Sequence, residues 1–345
     1  MMIQPHRYTS GRIALANLST SIDRLERERA AGGSSESLLT LAKLLFLRGD
    51  VLGRIEDHDR GESIATEAID MSSNCARAVY VRAQMAGRFH CFAKAKALLA
   101  QALVAGYSRQ EIEAERAALL QATGYYNEAL VLRERLAKRN PRIDTLASLA
   151  TLLAEMDQWG RAETYYAAAL DADDGASPFP CGQLLFEWGV SSMRRGDLDH
   201  AEAVFAALDA VLPAHVPGRG HRAEVAFARG KLDLAESLVA PLLEASDDPE
   251  YRALYAEILA ARGDGRSARH AELAGEAYER LLARRPEAYA DHAAAFFMGI
   301  GNRPKRAVEL ALANLRVRDT PRSRKLLSKA SASEQATTLA REFTV

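Results

Sequence analysis

His215 and His221 stand six residues apart, and Glu224 follows His221 by one helical turn. Those donor types could hold a divalent cation if a turn brought them together. The plainer reading makes His215 a loop residue and His221 and Glu224 solvated side chains at the start of a helix, so no metal or cofactor is assigned. His200, His270 and His292 each stand alone on a helical stretch, where a histidine is more often packed or solvated than ligating. The chain has no GxGxxG at a strand-to-helix turn, no GxxxxGK[ST], no HExxH and no GxSxG. Strand patterns are missing, so the folds that carry those motifs are missing too. A non-catalytic protein is expected.

Among the aromatic residues, Tyr125, Tyr126, Trp159, Tyr165, Tyr166 and Trp188 fall on packing positions. Tyr80 and Phe186 turn toward one shared wall and are the two candidate anchors for a partner. The basic run Arg316, Arg318, Arg322, Arg324, Lys325 and Lys329 lacks interleaved aromatics for base stacking, which disfavours nucleic acid. The totals agree: 45 basic side chains against 46 acidic ones leave a net charge of −1 over 345 residues, which supplies no global attraction for polyanions or anionic membranes. Cys75, Cys91 and Cys181 form no disulfide framework or CxxC knuckle. No apolar run is long enough to span a bilayer, and Met1 to Thr9 lacks the apolar core of a secretion signal. A cytoplasmic location without membrane insertion is the expectation.

The elements that must position these residues are periodic. A small residue, a polar-aromatic or polar-Leu step and an alanine recur in Gly124-Tyr125-Tyr126-Asn127-Glu128-Ala129, Gly196-Asp197-Leu198-Asp199-His200-Ala201 and Gly230-Lys231-Leu232-Asp233-Leu234-Ala235. The alanines at 95, 129, 162, 201 and 235 are spaced by 34, 33, 39 and 34 residues. Apolar residues recur at three and four on both sides of each Gly turn, so each unit is two amphipathic helices. In the clearest unit, Leu185, Trp188, Gly189 and Ser192 line the first helix, and Ala201, Phe205 and Leu208 line the second, which Pro213 stops. Small side chains at Gly189 and Ala201 let the two helices approach closely.

With this register the chain resembles the tetratricopeptide repeat family, whose signature runs aromatic, Leu-Gly, Tyr, Ala, Phe and Pro. The resemblance covers nearly the whole chain and implies an all-α, right-handed superhelical solenoid of antiparallel helix pairs. The expected division is a leading helix (1–34), about eight hairpins (35–321) and C-terminal capping helices (322–345), read as a closing pair. Extra residues at Val51 to His58 and at Gly263 to Ser267 are either contact loops or tolerated length, and Asp171 to Gly182 is the clearest hinge.

By family likeness the first helix of each pair lines a concave groove. The implied partner-binding positions are Tyr80, Gln84, Arg88, Glu111, Asp144, Thr151, Glu155, Gln183, Phe186, Glu187, Val190, Arg194, His221, Glu224 and Glu257, with Ala114, Ala118 and Asp291 beside them. The set is mostly acidic, so a basic or amphipathic protein or peptide segment is the expected partner. Lys43, Gln84, Ala118 and Thr151 cannot form the Lys/Asn clamp with which some family members grip a C-terminal carboxylate. The expected function is a protein interaction scaffold; a ligand- or peptide-sensing module and an accessory subunit of an enzyme complex are the alternatives.

Overall fold

The computed structural model describes residues 9–71 and 75–342, the last six by backbone alone. The reading of the chain start for a secretion signal falls mostly outside the described residues. Every regular element among the described residues is a helix. A leading helix α1 (Gly11–Ala30) precedes the pairs α2 (Ser35–Leu52) with α3 (Ile55–Met71), α4 (Ala76–Arg88) with α5 (Phe92–Val104), and α6 (Arg109–Ala122) with α7 (Tyr126–Arg139). The pairs α8 (Ile143–Glu155) with α9 (Trp159–Asp171) and α10 (Pro178–Arg195) with α11 (Leu198–Val211) follow. In the next pair, α12 (Val216–Ala228) packs on α13 (Leu232–Val239), and a short α14 (Leu242–Ala245) comes after it. The last pairs are α15 (Pro249–Ala261) with α16 (Arg266–Arg284) and α17 (Pro286–Met298) with α18 (Pro304–Val317). A single helix, α19 (Pro321–Glu342), ends the described chain where the sequence suggested a closing pair.

The α10–α11 hairpin shows how residues make the unit. Gly196 takes a left-handed φ of 87° to end α10, and the Asp197 carboxylate accepts from the His200 N–H to start α11. A Cβ on Gly189 would sit 2.5 Å from the Phe205 ring, so only glycine lets that ring lie flat on α10. Phe205, Leu208, Leu185 and Leu184 are all at most 1% exposed, and they join Tyr166 and Trp188 in one core spanning α8 to α11.

In the following unit the second helix is interrupted. Pro241 has no N–H to continue α13; α14 starts immediately after it, and the chain then runs through Ser246 and Asp247 to α15.

That detour carries the array into contact with its own beginning. The Asp247 carboxylate accepts from the Ile55 N–H at 2.7 Å and the Glu56 N–H at 2.9 Å, capping α3 from across the molecule. Ser246 bonds the Gly53 carbonyl, and Arg54 Nε donates to the Ala245 carbonyl at 3.3 Å. Asp59 pairs with Arg284 and Arg285, and Arg285 lies 3.5 Å from the centre of the Phe89 ring. Further along, His90 Nδ1 meets the Glu287 carbonyl at 2.9 Å, Gly124 abuts the Asp319 carbonyl, and Gly11 abuts that of Val211. Gly11–Val211, Gly53–Ser246, Gly124–Asp319 and His90–Glu287 are separated by 200, 193, 195 and 197 residues. One superhelical turn therefore closes in about that length, and the next turn lies directly against it. The extra residues around Val51 to His58 are contact residues, and what they touch is this chain.

Candidate functional site: a chamber between turns and its inner wall

Because successive turns touch, the inner face borders a cavity that is open to solvent. A cavity of about 950 Å³ lies between α2–α4 on one side and α10, α12, α15 and α17 on the other. Arg88, Gln183, Phe186, His221 and Glu224 line it, as the register implied, together with Asp50, His58, Asp248, Glu250, Tyr289 and His292. Four of the eight histidines in the chain, His58, His215, His221 and His292, meet at this one space.

Charged groups here are paired across elements. Arg88 on α4 forks onto Asp50 on α2, with Nη2–Oδ2 at 2.9 Å, and His58 Nε2 stands 3.2 Å from the same carboxylate. Burial works to raise the Asp50 carboxyl, but the Arg88 charge and the His58 hydrogen bond overcome it and hold it at about 2. His221 Nδ1 bonds Glu224 Oε2 at 2.8 Å; burial opposes the imidazolium, and the carboxylate more than compensates. The charge of Asp291 raises His292, which also meets Glu250 at 3.5 Å. Burial and the neighbouring Glu250 charge push Asp248 up. Arg88 and His292 still keep 33% and 44% of their side-chain surface accessible, so the chamber is a solvent-reachable space inside the molecule.

His215 does something else. Its Nδ1 accepts from the Gly218 N–H at 3.0 Å and so caps α12, which requires the neutral ring; burial lowers its pKa to about 4, in keeping with that role. Phe186 is half-buried, with ring centroids 5.2 Å from His215 and 5.6 Å from His221. No group of three or more His, Cys, Asp or Glu side chains among the described residues could hold a metal ion.

Other register positions continue the inner wall. Thr151 joins Glu187 at 2.8 Å and Tyr166 at 3.0 Å, and Gln183 donates to Glu187 at 2.9 Å. Gln84 reaches Glu115 and the Tyr80 hydroxyl. Tyr80 is only 5% exposed and stacks on Tyr107 with centroids 4.2 Å apart, and Val190 is buried in the α8–α11 core; both belong to the wall itself. Glu155 and Arg194 lie near one another. Glu111 and Asp144 are exposed at helix starts, paired with Tyr107 and Arg142, and do not reach the chamber. Glu257 is half-buried, and burial together with Glu224 raises its pKa.

Much of the acid that suggested a basic partner is thus occupied locally. The basic run is dispersed as well: Arg318 pairs with Asp291 inside, and Arg324 pairs with Asp319 outside. Asp50, His58, Asp248, Glu250 and His292 were missed from sequence because each sits outside the groove register. The available signals were the lengthened first unit and the Asp247-Asp248 pair before α15.

Helix pairs stacked into a wound array with a lined interior define an α-solenoid. Residues 192–258 match the tetratricopeptide repeat family profile, and the stacked helix pairs of the chain have the fold of a tetratricopeptide-like solenoid. The structure is similar to that of a chain of the APC/C hetero-tetramer Cut9-Hcn1, with a TM-score of 0.54 and 15% identity over 91% of this chain and 59% of that one. The type IV pilus biogenesis factor PilW aligns with a TM-score of 0.46 and 19% identity over 61% of this chain and 94% of its own. A tetratricopeptide repeat protein from Parabacteroides merdae aligns with a TM-score of 0.45 and 17% identity, covering 72% and 92%. At these identities the likeness is one of fold. No curated protein sequence matches the chain.

Proposed function

We propose that this protein is a non-catalytic interaction scaffold that holds an amphipathic segment of a partner protein against its inner wall at the chamber. The observation that carries this reading is the convergence of Arg88, Gln183, Phe186, His221 and Glu224, from three separate helix pairs, on one cavity. Phe186, Tyr289 and Leu254 offer apolar contact there, while the paired charges offer hydrogen bonds in fixed directions. Cys75 and Cys91 stand outside any disulfide, which supports a reducing, cytoplasmic setting, and no helix among the described residues is long and apolar enough to cross a membrane.

The test is purification of the native protein with a stoichiometric partner, repeated with Phe186→Ala and with Gln183→Lys, the latter at an exposed lining position. Loss of the partner in both variants is expected. Retention in both would remove the chamber from the binding surface. The polar closure between turns favours a second reading, a sensor whose winding responds to a small ligand; that reading requires the hydrodynamic radius to change when a metabolite is added.

A further inference from the structure

The chamber takes one wall from α2–α4 and the other from α10, α12, α15 and α17. Those walls belong to different turns of the superhelix, so their separation is set by the contacts between turns. Two such contacts border the chamber directly, and they are built differently.

At the first, Gly53 is wedged among the Ser246 hydroxyl, the Tyr251 hydroxyl and a Val216 methyl, each 3.1 Å from where a Cβ would stand. Tyr251 and Val216 are buried in the apolar core of α12–α15, and Gly53, Ile55 and Tyr251 all line the chamber. Parting the walls here exposes apolar surface and strips the Asp247 carboxylate from two backbone N–H groups.

At the second, Arg285, between α16 and α17, reaches Asp59 at 2.8 Å and Glu62 at 2.5 Å on α3 and lies over the Phe89 ring; Arg284 also pairs with Asp59. Beside this contact the chamber is lined by His58 and Phe89 on one wall and by Ala288 and Tyr289 on the other. Water reaches these ion pairs, since Arg284 keeps 55% and Glu62 36% of its side-chain surface accessible. Exposed pairs of this kind are worth little each and weaken with salt.

We propose that the chamber is gated at the Arg285 contact: Arg284 and Arg285 release Asp59 and Glu62, the α16–α17 turn moves away from α3 and α4 about the Gly53 contact, and the widened chamber takes in the partner segment. A segment that touches both walls binds the closed form more tightly than the open one, and so holds the latch shut behind it. The inference rests on the reading of the chamber as the partner-binding place and adds how that place opens.

Cys91 is a native reporter of the latch, because Glu287, Glu62 and Arg285 are among the charged groups beside its thiol. The experiment is alkylation of the full chain, without partner, by uncharged iodoacetamide, with each cysteine followed by peptide mass spectrometry. Exposed Cys75 calibrates the reagent, and Cys181 in the α8–α11 core reports global unfolding. Asp59→Asn removes both arginine pairs and changes no chamber-lining residue. It should hasten Cys91 about fivefold, the worth of two exposed ion pairs, and added salt should hasten Cys91 in the unaltered chain. Glu134→Gln, which breaks the exposed Arg161 pair between α7 and α9, should leave Cys91 unchanged. A Cys91 rate indifferent to both Asp59→Asn and salt overturns the gate and leaves the scaffold reading standing. Equal hastening of Cys181 also overturns it, since the whole fold is then opening. A native partner retained by both Phe186→Ala and Gln183→Lys, with the Cys91 response intact, removes the chamber as the binding place and leaves the gate nothing to admit.

Discussion

The α10–α11 hairpin and the seam between α3 and the α14–α15 segment are both places where two elements meet, and they meet by different physics. In the hairpin, Phe205 lies against Gly189 in a core with almost no accessible surface. At the seam, Asp247 caps α3, Arg54 donates to a carbonyl, and Asp59 holds Arg284 and Arg285. Apolar burial makes each unit cohere with its neighbours; directional polar contacts set how tightly the whole array is wound. The first kind of contact resists salt and the second is more sensitive to it, so raised salt is expected to loosen the winding before the helices.

Three perturbations sharpen this contrast. Phe205→Ala should have the largest effect, a loss of about 3–5 kcal/mol, read as a lowered thermal midpoint with faster hydrogen exchange centred on α10 and α11. Little change there would mean that the hairpin core is not what holds the array. Asp247→Ala should cost about 1 kcal/mol, the worth of a helix cap, and should speed exchange only in the first turn of α3 and along the seam. Equal loosening of α10 would show that seam and hairpin are one cooperative unit. The smallest effect concerns pH at Asp50. Its folded carboxyl lies at about 2, below the usual value of about 3.9, so its contribution is complete above the usual value and fades as pH falls toward 2. Asp50→Asn should flatten stability over that acid range, and an unchanged acid profile would mean that the Arg88 pair does not depend on the charge.

The hairpins were legible in the sequence because each is a local event. Gly196-Asp197 specifies a turn, Gly189 opposite Phe205 specifies a close approach, and the alanine register repeats both. Part of the wall followed from the same register: Arg88, Phe186, His221 and Glu224 do face one space. Tyr80 misled, because the face of a helix says which way a ring points and not whether Tyr107 will cover it. The other half of the chamber was illegible for a deeper reason. Asp50 and His58 come to line the same cavity as Glu250 and His292 only through the curvature accumulated over the intervening units, and no single unit encodes that angle. The Asp247 cap joins residues 191 and 192 positions apart, with only Pro241 and an acidic pair to hint that the chain departs from its rhythm.

Four of the touching points repeat a separation of about 195 residues, and they work like the mesh of two gears. In an open solenoid, removing or duplicating one hairpin shortens or lengthens the molecule and leaves the rest in phase. Here such a change anywhere between Gly53 and Ser246 would slide Asp247 past the start of α3 and bring Arg285 opposite the wrong tooth. The number of units between contact points is therefore expected to be a fixed dimension of this protein, in contrast to the freedom of open arrays.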